Sequence, residues 1–152
     1  MGGKDGLKCR LRFVQLALDD RNIWYKWGGD DLAGIDCSGF VIKEGKCVGL
    51  FPEDYDNTAA GIRRYFNNKT EVEEPFVGCL IFYGKPKITH VMICLDDMSV
   101  IGATGGGSKV KTVADAMRYN AFVEVRPFNY REDIVVIIDP FNERNDNGGA
   151  YD

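Results

Sequence analysis

Apolar positions recur at helical spacing near the N-terminus and gather into short runs further along. Residues 7–20 place Leu7, Leu11, Val14 and Leu18 at i, i+4, i+7 and i+11, the period of an amphipathic helix. Gly28-Gly29 and Gly34 mark a loop. Asp36 then precedes CSGFVIKEGKCV, which predicts a helix of about three turns with Phe40, Val41 and Cys47 at apolar positions. Asn57 or Thr58 can cap a further short helix through Phe66, with Ala59, Ala60, Ile62 and Tyr65 inside it. Beyond this the period changes. CLIFYG (79–84), HVMICL (90–95), SVIGAT (99–104), FVEVR (122–126) and IVVIID (133–138) are apolar, β-rich and short, and predict strands. Asp96-Asp97-Met98 is short enough to close a hairpin between the second and third. GGGSK (105–109) predicts a flexible loop, and residues 111–119 are weakly helical. Helices come first and strands cluster later. That order predicts an α+β fold, with N-terminal helices packed on a central antiparallel sheet of about five to six strands.

Composition narrows the classes. A chain of 152 residues supplies one core, so a single domain over 1–152 is expected, its core about 7–141 and a polar tail over 142–152. With 45% hydrophobic and 28% charged residues, disorder as the main state is excluded. No apolar run approaches the roughly 20 residues of a membrane span. The stretch MGGKDGLKCR has no apolar core of a Sec-type leader, so synthesis in the cytoplasm without a signal peptide is expected. Lys and Arg total 19 against 23 Asp and Glu, so the basic excess of a nucleic-acid binder is missing and no nucleic-acid partner is expected. GATGGGSK looks like a phosphate loop but sets Ser108 before Lys109, the wrong order for one.

The five cysteines are odd in number, which with no leader predicts reduced thiols. There is no C-x-x-C pair, and His90 and Cys94 would lie about 13 Å apart along a strand. No metal and no cofactor is expected. Most of the cysteines should be small buried fillers, a description that suits Cys47 and Cys79. Cys37 differs. Preceded by Asp36 and followed by small residues, it opens a helix, where free N–H groups favour a thiolate and can receive an oxyanion. Such a nucleophile needs a base. His90, the one histidine, stands at the start of a strand. From the residues alone the pair can be catalytic or incidental. Asp36 and Ser38 can be helix caps or ligand-binding groups, and Tyr25 and Trp27 can be core or site.

The string Tyr25-Lys-Trp-Gly-Gly, then Asp36-Cys37-Ser38-Gly39-Phe40, then Thr89-His90-Val-Met-Ile-Cys-Leu, resembles the NlpC/P60 family of cysteine peptidases. The resemblance spans residues 7–141, and RPFNYREDIVVIIDPF looks like the ending of phage and prophage members. It implies a papain-like α+β fold and cleavage of peptidoglycan stem peptides, at the γ-D-glutamyl–diamino acid bond. It implies Cys37 as nucleophile and His90 as base, resting as a thiol–imidazole or a thiolate–imidazolium pair, with a lowered thiol pKa marking an active dyad. It places Tyr25, Asp36 and Ser38 at the subsite for the stem peptide's free amine, with Trp27 beside them. One position departs. Many members carry a third polar residue, often histidine, on the strand after the base, and gapless alignment puts Gly102 there. A backbone carbonyl or water can replace it, or Thr104 or Ser108, or activity can be lost. The partners implied are peptidoglycan or muropeptides, and a phage tail or holin system that brings the protein to the cell wall. A CHAP-like amidase and a catalytically weak tail or wall-binding module of the same fold stay open.

Overall fold

The first helix keeps the expected period on a different face. The structure, a computed structural model, describes residues 3–143. Helix α1 spans Gly3–Asp19. Leu7 and Leu11, read as part of its buried stripe, are 54% and 50% exposed. The buried side instead carries Phe13, Val14 and Ala17. Two interactions rotate it. Phe13 packs edge-on to Phe141 with ring centroids 5.7 Å apart. One turn earlier, Arg10 reaches the buried Asp139 through two hydrogen bonds of 2.9 and 3.0 Å.

A two-stranded hairpin follows, β1 (Asp30–Asp31) and β2 (Gly34–Ile35), then α2 (Cys37–Lys46) and α3 (Ala59–Tyr65). Thr58 caps α3 by accepting from the Gly61 amide at 3.1 Å. The remaining elements are β3 (Lys69–Val72), β4 (Leu80–Tyr83), β5 (His90–Cys94), β6 (Ser99–Thr104), α4 (Val113–Tyr119), β7 (Phe122–Pro127) and β8 (Ile134–Glu143). Strands β3 to β8 form one sheet in the order β3-β8-β4-β5-β6-β7, every neighbouring pair antiparallel. The α+β expectation holds, and all five expected strands are present. The sixth, β3, was hidden because Lys-Thr-Glu-Val is an edge strand with one apolar residue and half-exposed positions. Of the tail expected over 142–152, residues 144–152 lie outside the described residues. Among the described residues no helix is long and apolar enough to cross a membrane.

Alternation along the strands gives the sheet two apolar faces. Leu80, Phe82, Val91, Ile93, Ile101, Ala103 and Ile138 join the helices in the main core. Cys79, Ile81, Tyr83, Met92, Cys94 and Val100 pack on the other side. Cys79 and Cys94 are buried fillers as expected, but Cys47 is exposed. It falls at the C-cap of α2, past the last turn that the core covers.

Two ionisable groups inside this frame give testable expectations. Arg10 lies between the rings of Phe76 and Phe141, 5.4 and 5.1 Å from their centroids, and neutralises Asp139. Removing one partner of a buried pair strands the other charge, at a cost of about 3–5 kcal/mol. Arg10→Met is therefore expected to lower the unfolding free energy in urea by about that amount; a loss below about 1 kcal/mol would show that the latch is peripheral.

Glu44 is fully buried on α2, and its Oε2 has no hydrogen-bond partner. Burial pushes its pKa up to about 9, the adjoining Asp20 adds to this, and Lys43 opposes it. The folded chain thus keeps a proton that the unfolded chain releases above 4.5. Stability from the neutral carboxyl is full below that value and is lost as pH rises toward 9, on the order of 3 kcal/mol by pH 7. Glu44→Gln, neutral throughout, should flatten the thermal midpoint across this window and raise it most at the alkaline end. An unchanged pH slope would contradict the assignment.

Candidate active site

Asp36 organises the start of α2. Its Oδ1 accepts from the Gly39 amide at 2.7 Å and the Ser38 hydroxyl at 3.2 Å, and its Oδ2 accepts from the Gly28 amide at 3.0 Å. The Asp36 amide in turn donates to the Gly29 carbonyl at 3.0 Å. Gly39 allows this closeness, because a Cβ there would lie 2.3 Å from the Gly29 oxygen. The Gly-Gly loop and the Asp-Cys-Ser-Gly helix start are therefore one packed unit. Asp36 is a cap, and it also lies in the cleft described below, so the two readings of it coexist.

Cys37 is the first residue of α2. Strands β5 and β6 pair only at Ile93–Ile101 and Cys94–Val100. Nearer its start, β5 turns the Val91 amide to the Cys37 thiol, which also faces the amides of Ser38 and of Cys37 itself. Cys37 is half-buried at the wall of the cleft described below. Burial drives its pKa up to about 11, the Asp36 carboxylate adds to this, and the three amides oppose without winning. The lowered thiol pKa expected from the helix start is not what the free protein has, because desolvation outweighs the N–H groups.

His90 opens β5 opposite Tyr83 on β4 and is 8% exposed. Its Nε2 lies 2.8 Å from the Tyr130 hydroxyl. The Tyr83 ring stands 5.5 Å from the imidazole, and the Tyr83 hydroxyl donates to the Phe128 carbonyl at 2.7 Å. Burial lowers the His90 pKa to about 4, the Arg131 charge adds to this, and Asp133 opposes. Thiol and imidazole are both neutral at neutral pH.

Cys37, His90, Tyr25, Trp27, Asp36 and Ser38 all line one open cleft of about 1030 Å³. Tyr25 is a core aromatic whose hydroxyl end faces Cys37 and Asp36, and burial raises its phenol pKa. The glycine loop, read as flexible, lies across it: a Cβ at Gly106 would come within 2.3 Å of the Tyr25 ring. Trp27 is 53% exposed, so it belongs to the rim and not the core.

Gly102 is buried and does not line the cleft, and the space of a Cβ there is taken by the Met92 sulfur at 2.4 Å. Neither proposed substitute reaches His90. The Thr104 hydroxyl donates to Glu124, and Ser108 is exposed outside the cleft. Tyr130 was missed because it comes from the β7–β8 turn, outside the strand register that the motif follows. Asp30, Asp56, Arg126 and Arg131, also on the cleft wall, were missed as ordinary loop and strand-end charges.

Helices packed on an antiparallel sheet, with a thiol at a helix start and an imidazole at a strand start on one cleft, make a papain-like α+β fold. The model of the NlpC/P60 family matches residues 22–127, and the chain belongs to that family of peptidoglycan hydrolases. Among solved structures, the peptidoglycan hydrolase RipB of Mycobacterium tuberculosis is similar at 20% identity and TM-score 0.70, covering 95% of this chain and 70% of that one. The NlpC/p60 domain of the peptidoglycan hydrolase SagA is similar at 22% identity and TM-score 0.63, over 85% of this chain and 97% of that one. The P60 domain of an antigen from M. avium subspecies paratuberculosis follows at 19% identity and TM-score 0.66, over 91% and 98%.

The electrostatics are checked by alkylation. The iodoacetamide rate at Cys37, followed against pH by peptide mass, is expected to have its midpoint near 11 in the free protein. Asp36→Asn keeps a capping oxygen and removes the charge, and should lower that midpoint. A wild-type midpoint below the free-thiol value of about 8.5 would overturn this picture.

Proposed function

We propose that the protein is a cysteine peptidase that hydrolyses peptidoglycan stem peptides at the γ-D-glutamyl–diamino acid bond, with Cys37 as nucleophile and His90 as base. The observation that carries this reading is that Cys37 and His90 line one cleft, with the thiol against the amide of the residue that follows His90.

The resting pair is neutral, so proton transfer accompanies attack. His90 takes the thiol proton as sulfur adds to the carbonyl carbon. The oxygen becomes an anion and is received by backbone N–H groups around Cys37. Collapse breaks the C–N bond, and the imidazolium gives its proton to the departing amine. Water, deprotonated by His90, then attacks the thioester, releasing the carboxylic acid and restoring the thiol. No cofactor enters this cycle.

The walls support a charged peptide as substrate. Asp56 and Asp30 join Asp36 on the cleft wall. Asp36 already accepts three hydrogen bonds and has room for about one more. With the hydroxyls of Tyr25 and Ser38 it offers acceptors for an ammonium group. Trp27 at the rim can cover the sugar-proximal side. On the His90 side the half-exposed Arg126 suits a carboxylate of the diamino acid, while Arg131 is already paired with Asp133. Such an amine subsite favours muropeptides already freed from the glycan. Delivery by a phage tail or holin system is compatible with this reading.

Digestion of free muropeptides with product mass analysis tests it. Wild-type protein should release the γ-D-glutamyl dipeptide, while Cys37→Ala and His90→Ala should each lose at least about 10³-fold in kcat. Cleavage of the glycan–peptide amide instead would identify an amidase. Full activity in either variant would reject the dyad.

A further inference from the structure

We propose that Tyr130 is the positioning residue for His90, performing from the β7–β8 turn the task that no side chain at position 102 can perform. This rests on the dyad proposed above. His90 Nε2 and the Tyr130 oxygen are 2.8 Å apart, so one ring nitrogen is committed and Nδ1 is left for the thiol. A base facing Cys37 must be unprotonated on the nitrogen it offers. That requires the proton on Nε2, with the imidazole N–H donating to the phenol oxygen.

The surroundings favour that direction. The Arg131 guanidinium adjoins the Tyr130 hydroxyl as a donor, so the phenol oxygen is drawn into accepting. Tyr130 is itself held firmly. Its ring meets Tyr83 edge-on at 5.6 Å, and the Arg126 guanidinium lies 5.2 Å from its centroid. Its amide donates to the Pro127 carbonyl at 3.0 Å. Tyr83 acts on both partners, since it stands against the imidazole and its hydroxyl fixes the Phe128 carbonyl in the same turn. The two positions nearest in register offer nothing, with Met92 over Gly102 and Thr104 bound to Glu124.

Tyr130 also differs in kind from a carboxylate. Burial pushes its pKa up to about 12, against the nearby arginines, so it holds the ring without adding negative charge. It fixes the tautomer and adds no counter-charge of its own, so the negative group acting on the imidazole is Asp133.

The single histidine makes the test clean. Nitrogen-15 spectra of the imidazole should show the Nε2–H tautomer dominating in the wild-type protein near pH 7. Tyr130→Phe, with its fold checked by circular dichroism, should shift the spectrum toward a tautomer mixture. On muropeptide it should lower kcat by at least about tenfold with KM within about twofold. An unchanged tautomer ratio in Tyr130→Phe, or an unchanged kcat in an active enzyme, overturns the proposal. If the wild-type protein cleaves no muropeptide, the peptidase reading fails, and the tautomer ratio still decides whether Tyr130 holds the ring.

Discussion

The Asp36 carboxylate is the point on which the site depends. It caps α2, which fixes where Cys37 begins the helix, and it ties down the Gly28 amide, which fixes the loop carrying Tyr25 and Trp27. Half-buried in place, it also adds to the local potential. A charged group so close to a thiol works against ionisation of that thiol, so the residue that builds the site also keeps it protonated. Position and electrostatics therefore cannot be tuned separately here. A stronger nucleophile would need a weaker cap or a wetter sulfur.

The same constraint governs the histidine. For Cys37 desolvation outweighs the neighbouring amides, and for His90 desolvation and the Arg131 charge outweigh Asp133. The free protein thus holds one proton on sulfur and a neutral ring beside it. In the proposed mechanism such a pair acts as nucleophile and base only when a carbonyl is positioned to take the developing charge.

Much of this was legible in the chain, for identifiable reasons. Strands β4, β5 and β6 were visible because each is buried along nearly its whole length and reads as an apolar run, and β7 and β8 because their valines and isoleucines stand out even where they are partly exposed. The helix start at Cys37 was visible because Asp36, Ser38 and Gly39 each have a local, sequence-near task. The face of α1 was not, because Leu7 and Leu11 mimic a buried stripe while the decisive contacts run from Arg10 and Phe13 to Asp139 and Phe141, far along the chain. Strand β3 was silent because an edge strand needs little apolar content. Tyr130 was invisible for a related reason. The family pattern points to a position on β6, and only folding shows that the ring's partner comes from a turn beyond β7.

The packing of Met92 over Gly102 bears on how this chain can change over generations. A side chain returning to position 102 would overlap the methionine sulfur, and shortening Met92 first would leave a cavity in the far-side core. Each change alone carries a cost, so the two positions are coupled. A ring partner from β6 would need both to change, whereas the turn that carries Tyr130 lies outside that packing.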